Sequence, residues 1–359
     1  MGMDAKFGST RSFRAKHESL YASERDCVRY DSELCRRQDH ANAIVDAIGQ
    51  IAPLCACSTR VADVGAGTGK LARRLAPHVA AVAVVDRSPD AVAVARAACS
   101  SSEVDDDGAC HTAAAEACSM SFHVADLRAL PLASGSADLV LAGWAVSYLK
   151  SEHEEWYADG SSGGPWRGEV DAALSEMERV LAPGGTLVVL ETLGTATATP
   201  QRAGSWLYAH LRERGLIQQV VRTDYRFPSK RAALGTLLFF FGKGVARRAE
   251  ALLAAVADDG EPCVVPECTG MWWRQKDAFA NAHAHAHADG REPRHLGGPE
   301  AEGRPPSAGT PPSASAAATA EESAGSQRTR RLTGGAAWLG LAAVVAGVVA
   351  SAVLRSHKP

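Results

Sequence analysis

Three alternate glycines follow an acid in Asp63-Val-Gly-Ala-Gly-Thr-Gly69, the stretch of this chain best suited to hold a ligand. An apolar run ends there and a helical pattern begins. Gly65, Gly67 and Gly69 let the backbone turn sharply and let a bound molecule approach without Cβ clashes. The helix start offers unpaired N–H groups and the positive end of its dipole. Three kinds of ligand use such a turn. A phosphate-cradling loop built on Gly69-Lys70 needs a glycine five residues earlier and a hydroxyl just after the lysine, but Val64 and Leu71 stand there. A dinucleotide fingerprint needs its third glycine where Lys70 sits. What remains is the form with an acid, Asp63, two residues ahead of the first glycine.

Two more acids end apolar runs, Asp86 in Val84-Val-Asp86 and Asp126 in Phe122-His-Val-Ala-Asp126-Leu127. Other chemistry finds little support. Cys55-Ala-Cys57 is too tight for a usual zinc pair, and Cys263 to Cys268 lacks a second ligand pair at finger spacing. The Ala282–Ala288 alternation of Ala and His lies in a biased stretch and reads as repeat drift, so no metal is expected. Formal net charge is −3, which supplies no basic field for nucleic acid.

The elements that position these residues follow from patterning. Residues 1–58 form a polar N-terminal cap segment, with a helix over Asp39–Ile51 whose Ile44, Ala47, Ile48 and Ile51 share one face. Within 59–280, apolar runs such as Ala81–Val85, Asp138–Ala142 and Thr186–Leu190 alternate with helical patterns. That alternation predicts an α/β domain whose parallel strands are covered on both faces. Ser100–Ser119 and Ala158–Pro165 interrupt it as surface loops. Residues 281–332 are low in complexity and predict a disordered linker. Ala336–Leu354, within 333–355, carries no charge over nineteen residues and has basic flanks. At about 1.5 Å per residue it reaches roughly 28 Å, enough for a transmembrane tail anchor. Met1–Lys16 is polar and has no apolar signal-peptide core.

Asp63 to Gly69 resembles the first motif of class I S-adenosylmethionine-dependent methyltransferases. The similarity continues in order through Asp86, Asp126, Ser136-Ala-Asp138-Leu-Val-Leu-Ala-Gly143-Trp144 and the Pro-Gly-Gly turn at Pro183 to Gly185. It covers about residues 60–191 and is nearest the ubiquinone/menaquinone-biosynthesis-like, type 11 branch. It implies a doubly wound, mostly parallel sheet of seven strands. It also implies a cofactor site of Asp63, Gly65, Ala66, Gly67, Gly69, Asp86, Arg87, Ser88, Asp126, Leu127 and Trp144. Asp86 would hold the ribose hydroxyls and Asp126 the adenine.

Segments after Glu191 resemble a narrower, poorly characterised subgroup and should gather at the carboxyl ends of the strands. Trp144, Tyr148, Tyr225 and Trp272 can line an apolar pocket there. Glu191 or Asp224 can take an acceptor's proton, and Tyr148 completes the candidate catalytic set. The expected activity is methyl transfer to a small, lipid-soluble acceptor. The catalytic domain would face the cytosol from the endoplasmic reticulum or mitochondrial outer membrane. The competing expectations are a non-catalytic cofactor-binding scaffold and, third, a nicotinamide oxidoreductase.

Overall fold

The computed structural model describes residues 22–100, 117–152, 164–202, 205–257 and 260–278. All of them belong to the unit Met1–Glu292. The loop expansions (apart from their ends), the His repeat, the linker and the Ala336–Leu354 anchor lie outside the described residues. No described helix is long and apolar enough to cross a membrane.

The centre is a seven-stranded sheet. Its strands are β1 (Arg60–Val64), β2 (Ala81–Asp86), β3 (Ser119–Val124), β4 (Ala137–Gly143), β5 (Leu181–Thr195), β6 (Ile217–Arg222) and, last in the chain, β9 (Glu267–Gln275). They lie in the order β3-β2-β1-β4-β5-β9-β6. β1, β2, β3, β4 and β5 are parallel, and β9 runs antiparallel between β5 and β6. The order reverses at β1, where β2 and β4 flank it, and ligands of open α/β sheets bind beyond the strand ends at such a switch point.

Burial on both faces explains the strand sequences. Val61, Val82, Val84, Leu139, Leu141, Val188, Leu190 and Met271 pack on one side with Ile44 and Ile48. Ala62, Val64, Val140, Leu187 and Val189 pack on the other with Val170, Leu174 and Met177. The covering helices are α2 (Ala43–Ile51), α3 (Lys70–Leu75), α4 (Pro89–Ser100), α5 (Val146–Ser151), α6 (Trp166–Val180) and α7 (Trp206–Glu213). α2 begins four residues later than the periodicity suggests, because Asn42 at its N-cap takes the left-handed region and Asp39 stays outside the helix, its carboxylate accepting from the Ala43 N–H at 2.8 Å. At α4, Ser88 Oγ accepts from the Ala91 N–H with proline at the first helical position.

Two features go beyond the sequence expectation. Ahead of α2, helix α1 (Glu24–Glu33) and a 3₁₀ turn (Cys35–Arg37) fold back toward the carboxyl ends of the strands. Between β6 and β9 a small second core is inserted. It consists of β7 (Tyr225–Phe227) paired antiparallel with β8 (Cys263–Val265), and of helices α8 (Lys230–Phe241) and α9 (Lys243–Leu252). Tyr225, Phe227, Leu237, Phe240 and Val265 fill it.

Candidate cofactor and acceptor site

β1 stops at Val64, and the next five residues fold as a tight turn. Gly65, Gly67 and Gly69 all take positive φ, +66°, +55° and +79°. The backbone crowding here is specific. A Cβ on Gly65 would lie 2.4 Å from the Ala145 Cβ, and one on Gly69 would lie 3.0 Å from the Ala95 Cβ. Gly69 therefore closes the turn against α4 and does not itself face the cavity, whereas Gly65, Ala66 and Gly67 do.

Asp63 caps the turn from below. One carboxylate oxygen accepts from the Ala72 N–H at 3.0 Å. The other is buried and meets no donor among the described residues. Burial pushes the Asp63 carboxyl up to about 7, with Asp86 adding to it and the Ala72 bond opposing. Asp86, the last residue of β2, accepts from the Gly67 N–H and the Ser88 N–H, both at 2.8 Å, and so ties the glycine turn to the next strand. Its carboxyl is also raised, chiefly by burial. Asp126 is gripped by Arg128, whose Nε and Nη2 each donate at 2.7 Å and hold its carboxyl below the usual range. Arg128 in turn reaches Glu169 at 2.6 Å, and Arg87 pairs with Glu152.

These residues surround one cavity of about 450 Å³, within the size range of small-molecule sites. Asp63, Asp86, Arg87, Ser88, Asp126 and Leu127 line it, as do Lys70, Trp144 and Tyr148 with Tyr30, Cys35 and Gln38 from the N-terminal segment. Trp144 follows β4 in the left-handed region, φ +53°, and its N–H donates to the Leu190 carbonyl at 2.7 Å. That strained turn sets the indole beside the glycine loop. Backbone strain of this kind is common at ligand sites.

Lys70 is 7% exposed, donates to Gln38 Oε1 at 2.8 Å and lies 4.6 Å from the Trp144 ring centroid. Burial, helped by Arg74, lowers its amine to about 8, while Cys35, Asp39 and Glu267 pull the other way. The segment that brings Gln38 is pinned by Asp31, which accepts from Arg73 at 2.9 Å, Thr68 at 2.8 Å and Arg36 at 2.8 Å. Burial alone would raise the Asp31 carboxyl, but these partners outweigh it and hold it below the usual range.

Several expectations need correcting. Tyr225 and Trp272 do not line the cavity. Tyr225 fills the inserted core, and Trp272 packs in the main core against Tyr208 at 4.5 Å between centroids. Asp224 is not in the cavity lining either. Its carboxylate is held by both nitrogens of Arg222, at 2.9 and 2.8 Å, and accepts from the Glu267 N–H. Glu191 is buried behind the cavity wall. It accepts from the Ser147 N–H at 2.8 Å, and burial pushes it up to about 7.

Tyr30, Cys35 and Gln38 lie in a polar segment without a motif, so no sequence pattern points to them. In the sequence Lys70 serves only to exclude the other turns. A signal was present, since a lysine in a first helical turn opposes the dipole and calls for another reason. Among the described residues no group of three or more His, Cys, Asp or Glu side chains is placed to hold a metal ion.

A family model for a methyltransferase domain matches residues 62–189, from β1 into β5. The matched stretch is thus a methyltransferase domain, and S-adenosylmethionine is its cofactor. No curated protein matches the chain significantly. Among solved structures it is similar to a putative methyltransferase from Bacillus halodurans, at 16% identity over 65% of this chain and 98% of that one, TM-score 0.37. It is also similar to the YcgJ protein from Bacillus subtilis, at 15% identity over 66% and 99%, TM-score 0.39. A third is a SAM-dependent methyltransferase from Aquifex aeolicus, at 13% identity over 51% and 82%, TM-score 0.33.

Proposed function

We propose that the chain transfers a methyl group from S-adenosylmethionine to a small, lipid-soluble acceptor held between Trp144, Tyr148 and the N-terminal segment. The observation that carries this is the buried, donor-less oxygen of Asp63 in a cavity that also holds the buried amine of Lys70. A zwitterionic amino-acid group fits such a pair, with its ammonium at Asp63 and its carboxylate at Lys70. Asp86 would receive the ribose hydroxyls, and Asp126 with Leu127 the adenine.

Bound S-adenosylmethionine supplies a methyl group on a positively charged sulfur, a reactive centre that needs no protein nucleophile. The chain's task is then alignment and exclusion of water. Trp144 and Tyr148 offer apolar faces with polar edges for an acceptor ring. Glu191 serves as a positioning residue, since its bond to the Ser147 N–H holds the start of α5 and thereby Tyr148. Asp224 braces the β6–β7 corner. Lys70, standing where a nicotinamide fingerprint needs glycine, disfavours the oxidoreductase alternative.

The uncharged Ala336–Leu354 run supports a membrane-tethered chain and hence an acceptor dissolved in the bilayer. Alkaline carbonate extraction of full-length and 1–330 chains tests the tether. Retention of the full chain alone is expected, and equal release of both would remove it. Incubating membrane extracts with labelled cofactor and the full chain tests the activity. A labelled lipid-phase product is expected, whereas cofactor binding without any labelled product would favour the scaffold.

A further inference from the structure

Among the described residues Cys27, Cys35, Cys118, Cys263 and Cys268 are buried thiols, and burial holds the first two at about 11. Cys55 and Cys57 are different. They lie in the loop between α2 and β1, with Cys57 exposed, and their Sγ atoms are 2.8 Å apart. A disulfide bond is about 2.05 Å long, so a small movement of the two side chains closes one.

The loop is built to present this pair. The Cys55 N–H donates to Thr59 Oγ1 at 2.9 Å, and that hydroxyl donates to the Pro53 carbonyl at 3.1 Å. The Cys55 carbonyl accepts from the Ser58 and Thr59 N–H groups at 3.1 and 2.9 Å. The backbone is therefore held, with Cys57 exposed and Cys55 half-buried beside it.

We propose that Cys55 and Cys57 form a thiol–disulfide exchange site that accepts oxidising equivalents from a small cysteinyl disulfide of the oxidised-glutathione type. Cys55 acts first. Hydrogen bonds from Cys57 and then Ser58 lower its thiol to about 7, close to ambient pH, where an attacking thiol is most effective. The Cys55 thiolate attacks one sulfur of the small disulfide, forming a mixed disulfide and expelling one small thiolate, which takes a proton from solvent. Cys57 then releases its proton to solvent and attacks the Cys55 sulfur. The Cys55–Cys57 bond forms and a second small thiol leaves. Two protein thiols are oxidised and one small disulfide is reduced to two thiols. The site precedes β1, at the opposite end of that strand from the glycine turn, so cofactor affinity should not depend on its redox state.

The test equilibrates the full chain with reduced and oxidised glutathione over a range of ratios, followed by acid quenching, alkylation and peptide mass mapping. The peptide holding Cys55 and Cys57 is expected to lose two hydrogens and resist alkylation at ratios that leave the five buried thiols reduced. Cys57→Ser should accumulate a single glutathione on Cys55, and the wild-type affinity for S-adenosylhomocysteine should be unchanged by oxidation. The proposal is overturned if both thiols stay open to alkylation at every ratio, or if each carries glutathione without closing the ring. Should the variant not fold, the wild-type map decides alone.

Discussion

Lys70 sits at the first position of a helix and is buried, two placements that disfavour a positive charge. Its retention inside the cavity makes sense if it meets an anion there. Lys70→Met should weaken S-adenosylhomocysteine by about 10- to 100-fold, the worth of a charge-assisted hydrogen bond. It should leave methylthioadenosine, which lacks the amino-acid group, unaffected in titration calorimetry. Equal losses on both ligands would move Lys70 away from the carboxylate. The amine must be protonated to pair. With its value lowered to about 8, wild-type affinity for S-adenosylhomocysteine should fall as pH rises from 7 to 9, and Lys70→Met should remove that fall. Asp86→Ala should behave oppositely to Lys70→Met. It should weaken both ligands alike, by about 1–3 kcal/mol, because both carry the ribose, and a selective effect would contradict the ribose assignment.

At the scale of elements, the N-terminal segment and the sheet are joined by the buried pair of Asp31 and Arg73, at 3% and 5% side-chain exposure. Asp31→Ala removes the carboxylate that faces the buried Arg73, leaving its bond to the Thr68 carbonyl, and breaking a buried ion pair typically costs about 3–5 kcal/mol. Thermal unfolding should report that loss, and an unchanged midpoint would show the segment to be independently held. These contacts also mark where the sequence becomes hard to read. β1, β2, β4 and β5 were legible because strands covered on both faces need unbroken apolar runs. The cofactor side of the cavity was legible because its turn demands glycines and an acid at fixed spacing. β7 and β8 were not, since three residues each carry no periodicity and pair across an insertion. Tyr30, within α1, and Gln38, after the 3₁₀ turn, line the cavity through tertiary packing that no local pattern records. Trp272 was misplaced because an aromatic on a strand looks the same whether it faces a pocket or the core.

Across the described residues, three buried carboxyls, Asp63, Glu191 and Glu267, are raised to about 7 by desolvation. In the unfolded chain such groups titrate near ~4. Between those values the folded state binds more protons than the unfolded one, so stability falls as pH rises. The unfolding midpoint should therefore drop by several degrees from pH 5.5 to 7.5, at about 2–4 °C per kcal/mol for a domain of this size. Cofactor should flatten that slope, because an ammonium at Asp63 stabilises its charged form. A midpoint that climbs over the same interval would contradict these burial assignments.

The assignment of the cavity to S-adenosylmethionine is tested most directly by calorimetric titration of the full chain with S-adenosylhomocysteine and, separately, with NADH. The account predicts one molecule of S-adenosylhomocysteine per chain, its affinity weakened by Asp86→Ala, and no heat from NADH. Binding of NADH alone, or of neither ligand, would contradict it.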